Sequence, residues 1–131
     1  MATTIQYNPQ PLGAVTVVTP GTTVRLTINL LTADPTTGKV VTTAATDSVP
    51  CNKIGLASNP LSQAGAGNTG KVYIGSKSMS RTTLLGVVAI ILPGGSYSIT
   101  NNVSMNIYDA SQWYVDADNA GDSIYGSFDM V

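Results

Sequence analysis

The sequence predicts an all-β protein: a β-sandwich or jelly roll of about eight strands, preceded by an extended N-terminal arm. Three observations lead there. Apolar and polar residues alternate at period two in several short segments. Turn chemistry (Gly, Pro, Asn and Asp) returns at a spacing of roughly ten residues. Between the turns stand Thr, Val, Ile and Tyr, which fit a pleated, half-buried surface. With 131 residues the chain can build one core, and it divides into an arm, residues 1–13, and a single domain, residues 14–131.

The arm carries Pro9, Pro11 and Gly13, with Ile5 and Tyr7 as its apolar contact residues. Such a segment either frays or lies on a neighbouring subunit. Ala14 to Val18 is a short strand, closed by the turn Thr19-Pro20-Gly21-Thr22. Val24, Leu26, Ile28 and Leu30 then alternate with Arg25, Thr27 and Asn29, the clearest strand signal in the chain. Asp34 to Lys39 reads as a hairpin loop, with Val40-Val41 beginning the return. Cys51 to Asn59 alternates again, placing Ile54 and Leu56 on one side. Asn59 to Gly70, which includes Leu61, reads as a flexible loop.

Val72-Tyr73-Ile74 is the next strand, ended by Gly75. The apolar run Leu84 to Leu92 is rich in Val and Ile, so a strand buried on both faces is expected ahead of the alternative, a short helix over Thr82–Ile91. Leu92-Pro93-Gly94-Gly95 should reverse the chain sharply, because proline presets one turn position and glycine accepts positive φ. Ser96 to Thr100 follows as a strand, and Asn101-Asn102 as a turn. Two further strands are Met105 to Tyr108 and Gln112 to Val115, with Trp113, Val115 and Ala117 on one face. Asp118 to Asp122 reads as a hairpin turn. Ser123 to Phe128 closes the sheet, with Ile124 and Phe128 inward and Tyr125 outward. The expected strand centres are Leu26, Ile54, Tyr73, Ile99, Val115 and Ile124. The expected core is Leu26, Ile28, Ile54, Val72, Ile74, Trp113, Val115 and Ile124.

Composition narrows the function classes. Six Lys and Arg are spread along a chain of net charge −1, so no basic footprint for nucleic acid exists. Only 10% of residues are charged, which suits a protein that buries surface against neighbours. A homo-oligomer is therefore expected, with a trimer favoured and Leu84 and Leu85 meeting a neighbouring chain. The run Leu84–Leu92 is too short to span a bilayer, so no membrane partner is expected. MATTIQYNPQ lacks the charged and apolar regions of a signal peptide, so synthesis in a cytoplasm is expected.

The chain holds neither His nor Glu, and its one cysteine, Cys51, has no activating base. No catalytic residue and no cofactor is expected, and Cys51 reads as a small buried side chain. Asp116, Asp118 and Asp122 with Gly121 superficially follow the calcium pattern D-x-D-x-x-G. Ala120 and Ser127 stand where ligands are required, so a solvated turn is expected rather than a metal site. Asp109 and Asp116 are acids near strand ends, the raw material of glycoside chemistry and little more. Trp113, Tyr108, Tyr114 and Tyr125 are candidates for a sugar platform, but alternation sets Trp113 opposite Tyr114, and core packing is the expected role of Trp113.

One set of motifs occurs in a recognisable order. Cys51-x-x-Ile54-x-Leu56 precedes Asn68-x-x-Lys71-Val72-Tyr73-Ile74-Gly75. Leu92-Pro93-Gly94-Gly95-Ser96, Trp113-Tyr114-Val115-Asp116-Ala117 and Ala120-Gly121-Asp122-Ser123-Ile124 follow. Over residues 51–128 this resembles a β-sandwich module of structural proteins in tailed bacteriophages. The segment between Gly75 and Pro93 is more apolar than that pattern. The resemblance implies a non-enzymatic virion component: a capsid decoration or cement protein on the outer capsid surface, bound to the major capsid protein and bridging capsomers. Ile5, Tyr7, Leu61, Leu84 and Leu85 are the contact residues expected on that reading. The alternatives are a neck, tail or fibre component, or a carbohydrate-binding module.

Overall fold

Period-two alternation in this chain becomes two antiparallel sheets whose inner faces share one core. The computed structural model describes residues 8–27, 30–33, 37, 40–43, 50–100 and 108–130. The strands are β1 (Asn8–Pro11), β2 (Val15–Thr16), β3 (Val24–Arg25), β4 (Leu30–Ala33), β5 (Val40–Thr43) and β6 (Pro50–Ser58). They continue as β7 (Val72–Gly75), β8 (Val87–Ile91), β9 (Ser96–Thr100), β10 (Tyr108–Asp109), β11 (Tyr114–Ala117) and β12 (Ser123–Met130). Helical structure among the described residues is one turn, α1 (Ser62–Gly65), and a 3-10 turn at Ala110–Gln112. The protein is all-β, as the sequence predicts.

The larger sheet is built on the long pair β6 and β12. β1 and β2 flank β12, while β9 and β10 pair with the other edge of β6. The smaller sheet has the order β3-β11-β7-β8. β4 and β5 form the expected hairpin, Ala33 facing Val40. Ile54 and Leu56 of β6, Ile99 of β9, and Ile124 and Phe128 of β12 join Val72, Ile74, Ile91, Val115 and Ala117 of the smaller sheet in one buried cluster. Leu12, Val15, Val17 and Leu26 extend it. Each large side chain buried there is worth about 1.5–3 kcal/mol. The alternate residues Gly55, Ala57 and Tyr125 fall on the opposite face, as the period requires.

Several expectations are corrected. Leu26 is fully buried but lies beyond β3. Its N–H still bonds the Trp113 carbonyl at 2.9 Å, after which Leu26 and Thr27 are buried in succession, so alternation stops. Ile28 lies outside the described residues. Trp113 is half-buried and packs against the core, because it sits at the end of the 3-10 turn with its N–H on Ala110.

The run Leu84–Leu92 is not buried on both faces. β8 is the edge of the smaller sheet, so Ile91 reaches the core while Val88 and Ile90 remain exposed. The segment 118–122 is a corner rather than a hairpin, because β11 and β12 belong to different sheets. Leu92–Gly95 also changes sheets, but with the expected chemistry: the Gly95 N–H donates to the Leu92 carbonyl at 2.8 Å, and Gly94 has φ 79°. Within the segment read as an arm, Asn8–Pro11 pairs antiparallel with β12. Ile5 and Tyr7 lie outside the described residues.

Candidate functional site

Among the described residues, five of the eight large exposed hydrophobic side chains fall on one segment. Leu84 (49%), Leu85 (72%), Val88 (54%), Ile90 (42%) and Leu92 (56%) are all open to solvent. They belong to the edge strand β8 and the turns on either side of it. The chain between β7 and β8 folds into a tight series of turns. Met79 donates its N–H to Ser76 at 3.1 Å, Leu84 to Ser80 at 2.9 Å, and Ser80 to Leu85 at 2.9 Å. Met79 is the buried plug of this loop. Leu84 sits at φ 62°, in the left-handed region that costs a branched residue about 1–2 kcal/mol.

A polar clamp holds that loop on the outer face of the smaller sheet. Arg81 Nε lies 3.2 Å from Asp116 Oδ2, and its Nη1 lies 3.2 Å from Asp118 Oδ1. Asp116 is almost fully buried, and its Oδ1 accepts from the N–H groups of Gly21 (3.0 Å) and Ala117 (2.8 Å). The Tyr73 hydroxyl donates to Asp118 Oδ1 at 3.1 Å, and burial, with Asp118 beside it, raises its pKa. Thr23 Oγ1 adds a bond to the Lys77 carbonyl at 2.7 Å. The loop is therefore presented rigidly.

A second clamp fixes the segment 59–70, which the sequence reads as flexible. Asp122 is fully buried and accepts from the N–H groups of Thr69 (3.0 Å) and Gly70 (2.8 Å) and from Gln63 Nε2 (3.2 Å). Asn68 donates to the Ser123 carbonyl at 2.7 Å and accepts the Ser123 N–H at 2.9 Å, and the Ser62 hydroxyl bonds its side-chain oxygen. Leu61 projects from this braced loop, 75% exposed. The Asn68 and Asp122 motifs, far apart in sequence, are thus one hydrogen-bonded unit. Their polar residue types were the available signal; their partnership was not visible from spacing.

The remaining candidates take structural roles. Asp116 and Asp122 are buried acceptors rather than parts of a solvated turn. Asp109 caps the 3-10 turn, accepting from the Ser111 N–H at 2.9 Å and hydroxyl at 2.7 Å. Among the described residues no three His, Cys, Asp or Glu side chains converge as a metal would need. The aromatics do not share a platform: Trp113 and Tyr108 pack against the core, Tyr114 lies under Arg25, and Tyr125 stands on the outer face of the larger sheet. Beside Tyr125 runs a shallow trough lined by Gly55, Ala57, Ser96, Ser98 and Ser127, which the sequence reading missed.

Cys51 is buried, and burial pushes its thiol from 9.0 up to about 11, with the backbone of Ala110 pulling partly the other way and the Asp109 and Asp129 charges adding to the rise. A raised folded pKa gives stability that is complete below the unfolded value and fades as pH climbs through the folded one. Between pH 9.0 and about 11, this group should therefore withdraw about 2–3 kcal/mol. Urea midpoints measured across that range should fall, and Cys51→Ala should flatten the fall. The Tyr73 shift leaves a residual slope of the same sign.

The chain matches no family model, no curated protein and no solved structure.

Proposed function

We propose that the chain is a non-enzymatic structural protein of a tailed-phage virion: a capsid decoration protein that binds the major capsid protein and stabilises the head by bridging capsomers. The observation that carries the reading is the Leu84–Leu85 tip. Two exposed leucines, one in a strained backbone conformation, are held by a partly buried Arg–Asp clamp on a sparsely charged sandwich. Strain retained beneath an exposed apolar side chain is what a contact would explain. The ordered motifs over residues 51–128 support the same class. A ligand that binds only the intact lattice stabilises it by linkage. A neck or tail position would use the same surface.

Binding to emptied phage capsids tests this. Leu85→Asp should fold within about 0.5 kcal/mol of wild type, as exposed substitutions do. It should lose capsid binding by several kcal/mol, because the contact would bury an unpaired charge. Leu84→Gly should raise the stability of the free protein by up to about 1 kcal/mol and still weaken binding. Undiminished binding by both variants removes the tip from the interface. Absence of the protein from purified, imaged virions ends the decoration reading.

A further inference from the structure

We infer that β8 is an intermolecular pairing edge whose occupant is a second copy of this chain, its β8 antiparallel to the first across a two-fold axis. The inference concerns the free protein and does not depend on capsid binding. It begins with the backbone. In an antiparallel ladder, consecutive residues bond to opposite sides. Lys71 accepts from Asp118, on the β11 side of β7, and Ser76 donates to Gly86, on the β8 side. Val72 and Ile74 therefore bond toward β8 through their register partners Ile91 and Ala89. The N–H and C=O of Ile90 then point away from the sheet, toward an edge that no described strand covers.

Sheet edges are usually guarded by charge, proline or a bulge. No charged residue occurs between Arg81 and Asp109, and no proline precedes Pro93 in that stretch. The one guard is a bulge: Ile74 faces Ala89 and Gly75 faces Val87, which leaves Val88 extra. It limits pairing to the segment centred on Ile90.

Self-complementarity selects the occupant. With Ile90 opposite Ile90 of the second copy, Ala89 meets Ile91 and Val88 meets Leu92. The exposed members, Val88, Ile90 and Leu92, then form one aliphatic strip across the joint. Cross-strand aliphatic pairs stabilise a ladder, and nothing here repels. Among the edge strands whose side chains are described, none fits β8 as well: β2, β3 and β10 offer two residues each, and β9 carries Ser96, Ser98 and Thr100 outward. Head-to-tail pairing through those edges, which would propagate, is thereby disfavoured, whereas β8 with β8 closes after two copies. A trimer would have to use a different surface.

Sedimentation equilibrium and hydrogen exchange on the full chain test the inference. Wild type should show a monomer–dimer equilibrium, and raising its concentration should protect the edge-facing amides centred on Ile90, while those of Ala89 and Ile91 are already bonded to β7. Ile90→Lys adds the missing edge charge on the outer face and should weaken dimerisation at least about tenfold. Val18→Lys, at a site at least as exposed, should leave it unchanged. A wild type that stays monomeric at its solubility limit, or a dimer whose protection maps elsewhere, overturns the inference. So does an Ile90→Lys protein that dimerises as wild type does. If Ile90→Lys fails to fold, the concentration-dependent protection of wild type still decides.

Discussion

Gly126→Ala is expected to unfold the protein or cost more than about 3 kcal/mol, while Gly55→Ala, one register position away, should be tolerated. Gly126 lies on the inner face of β12, between Ile124 and Phe128, opposite Leu56. A Cβ there would stand 1.9 Å from the Gly55 carbonyl oxygen and 3.1 Å from the Leu56 Cα. Both are backbone atoms of the longest ladder, so no side-chain rotation can relieve the clash. Moving β12 outward would strain its pairing with β1 and the Leu12 N–H bond to the Gly126 carbonyl, 2.9 Å. Gly55 faces the other way, and a Cβ on it meets only the Ser127 carbonyl at 4.0 Å. Replacing it removes freedom from the unfolded chain, a gain of about 0.4–1 kcal/mol where the conformation is compatible. Urea denaturation of both variants checks the contrast. Equal effects would mean that β6 and β12 can separate freely at this point.

Those two glycines show where sequence reasoning stops. Period two correctly assigns Ile54, Leu56, Ile124 and Phe128 to the core, because side-chain alternation is a local property of a strand. It does not report what lies opposite a glycine, which depends on register between segments far apart. Sheet order is hidden for the same reason. A continuous apolar run such as Leu84–Leu92 fits a strand in the middle of a sheet and an edge strand with one open face equally well. Only the position of β8 beyond β7 distinguishes them. Turn residues likewise fix that the chain bends at 118–122, but not whether it returns to the same sheet. The Leu92–Gly95 turn was legible in detail because Pro93 and Gly94 dictate the local backbone. At the tip, Leu84 and Leu85 stand exposed although the run they open reads from sequence as buried on both faces. The Arg81–Asp116–Asp118 clamp that presents them joins residues 35 or more positions apart, which no local pattern encodes.

Asp122→Ala should produce the second large loss, about 3–5 kcal/mol. The carboxylate is fully buried and serves the Thr69 and Gly70 N–H groups and Gln63 Nε2, with the Thr69 hydroxyl at 3.4 Å. Hydrogen bonds to a charged acceptor contribute about 1.5–3 kcal/mol each, without adding fully. Alanine removes the acceptor and leaves those backbone donors to seek water in a closed corner, whereas Asp122→Asn keeps one oxygen and should lose roughly half as much. Gln63→Ala, which removes one partly exposed donor, should cost only about 1 kcal/mol. Hydrogen exchange at Thr69 and Gly70 locates the effect: those amides should open first in Asp122→Ala. The Leu84–Leu85 loop hangs on the separate Arg81–Asp116 clamp, so its amides should keep their protection relative to global unfolding. A loss below 1 kcal/mol, or equal deprotection of both loops, would mean that the corner at Asp122 is not what fastens residues 59–70 to the sandwich.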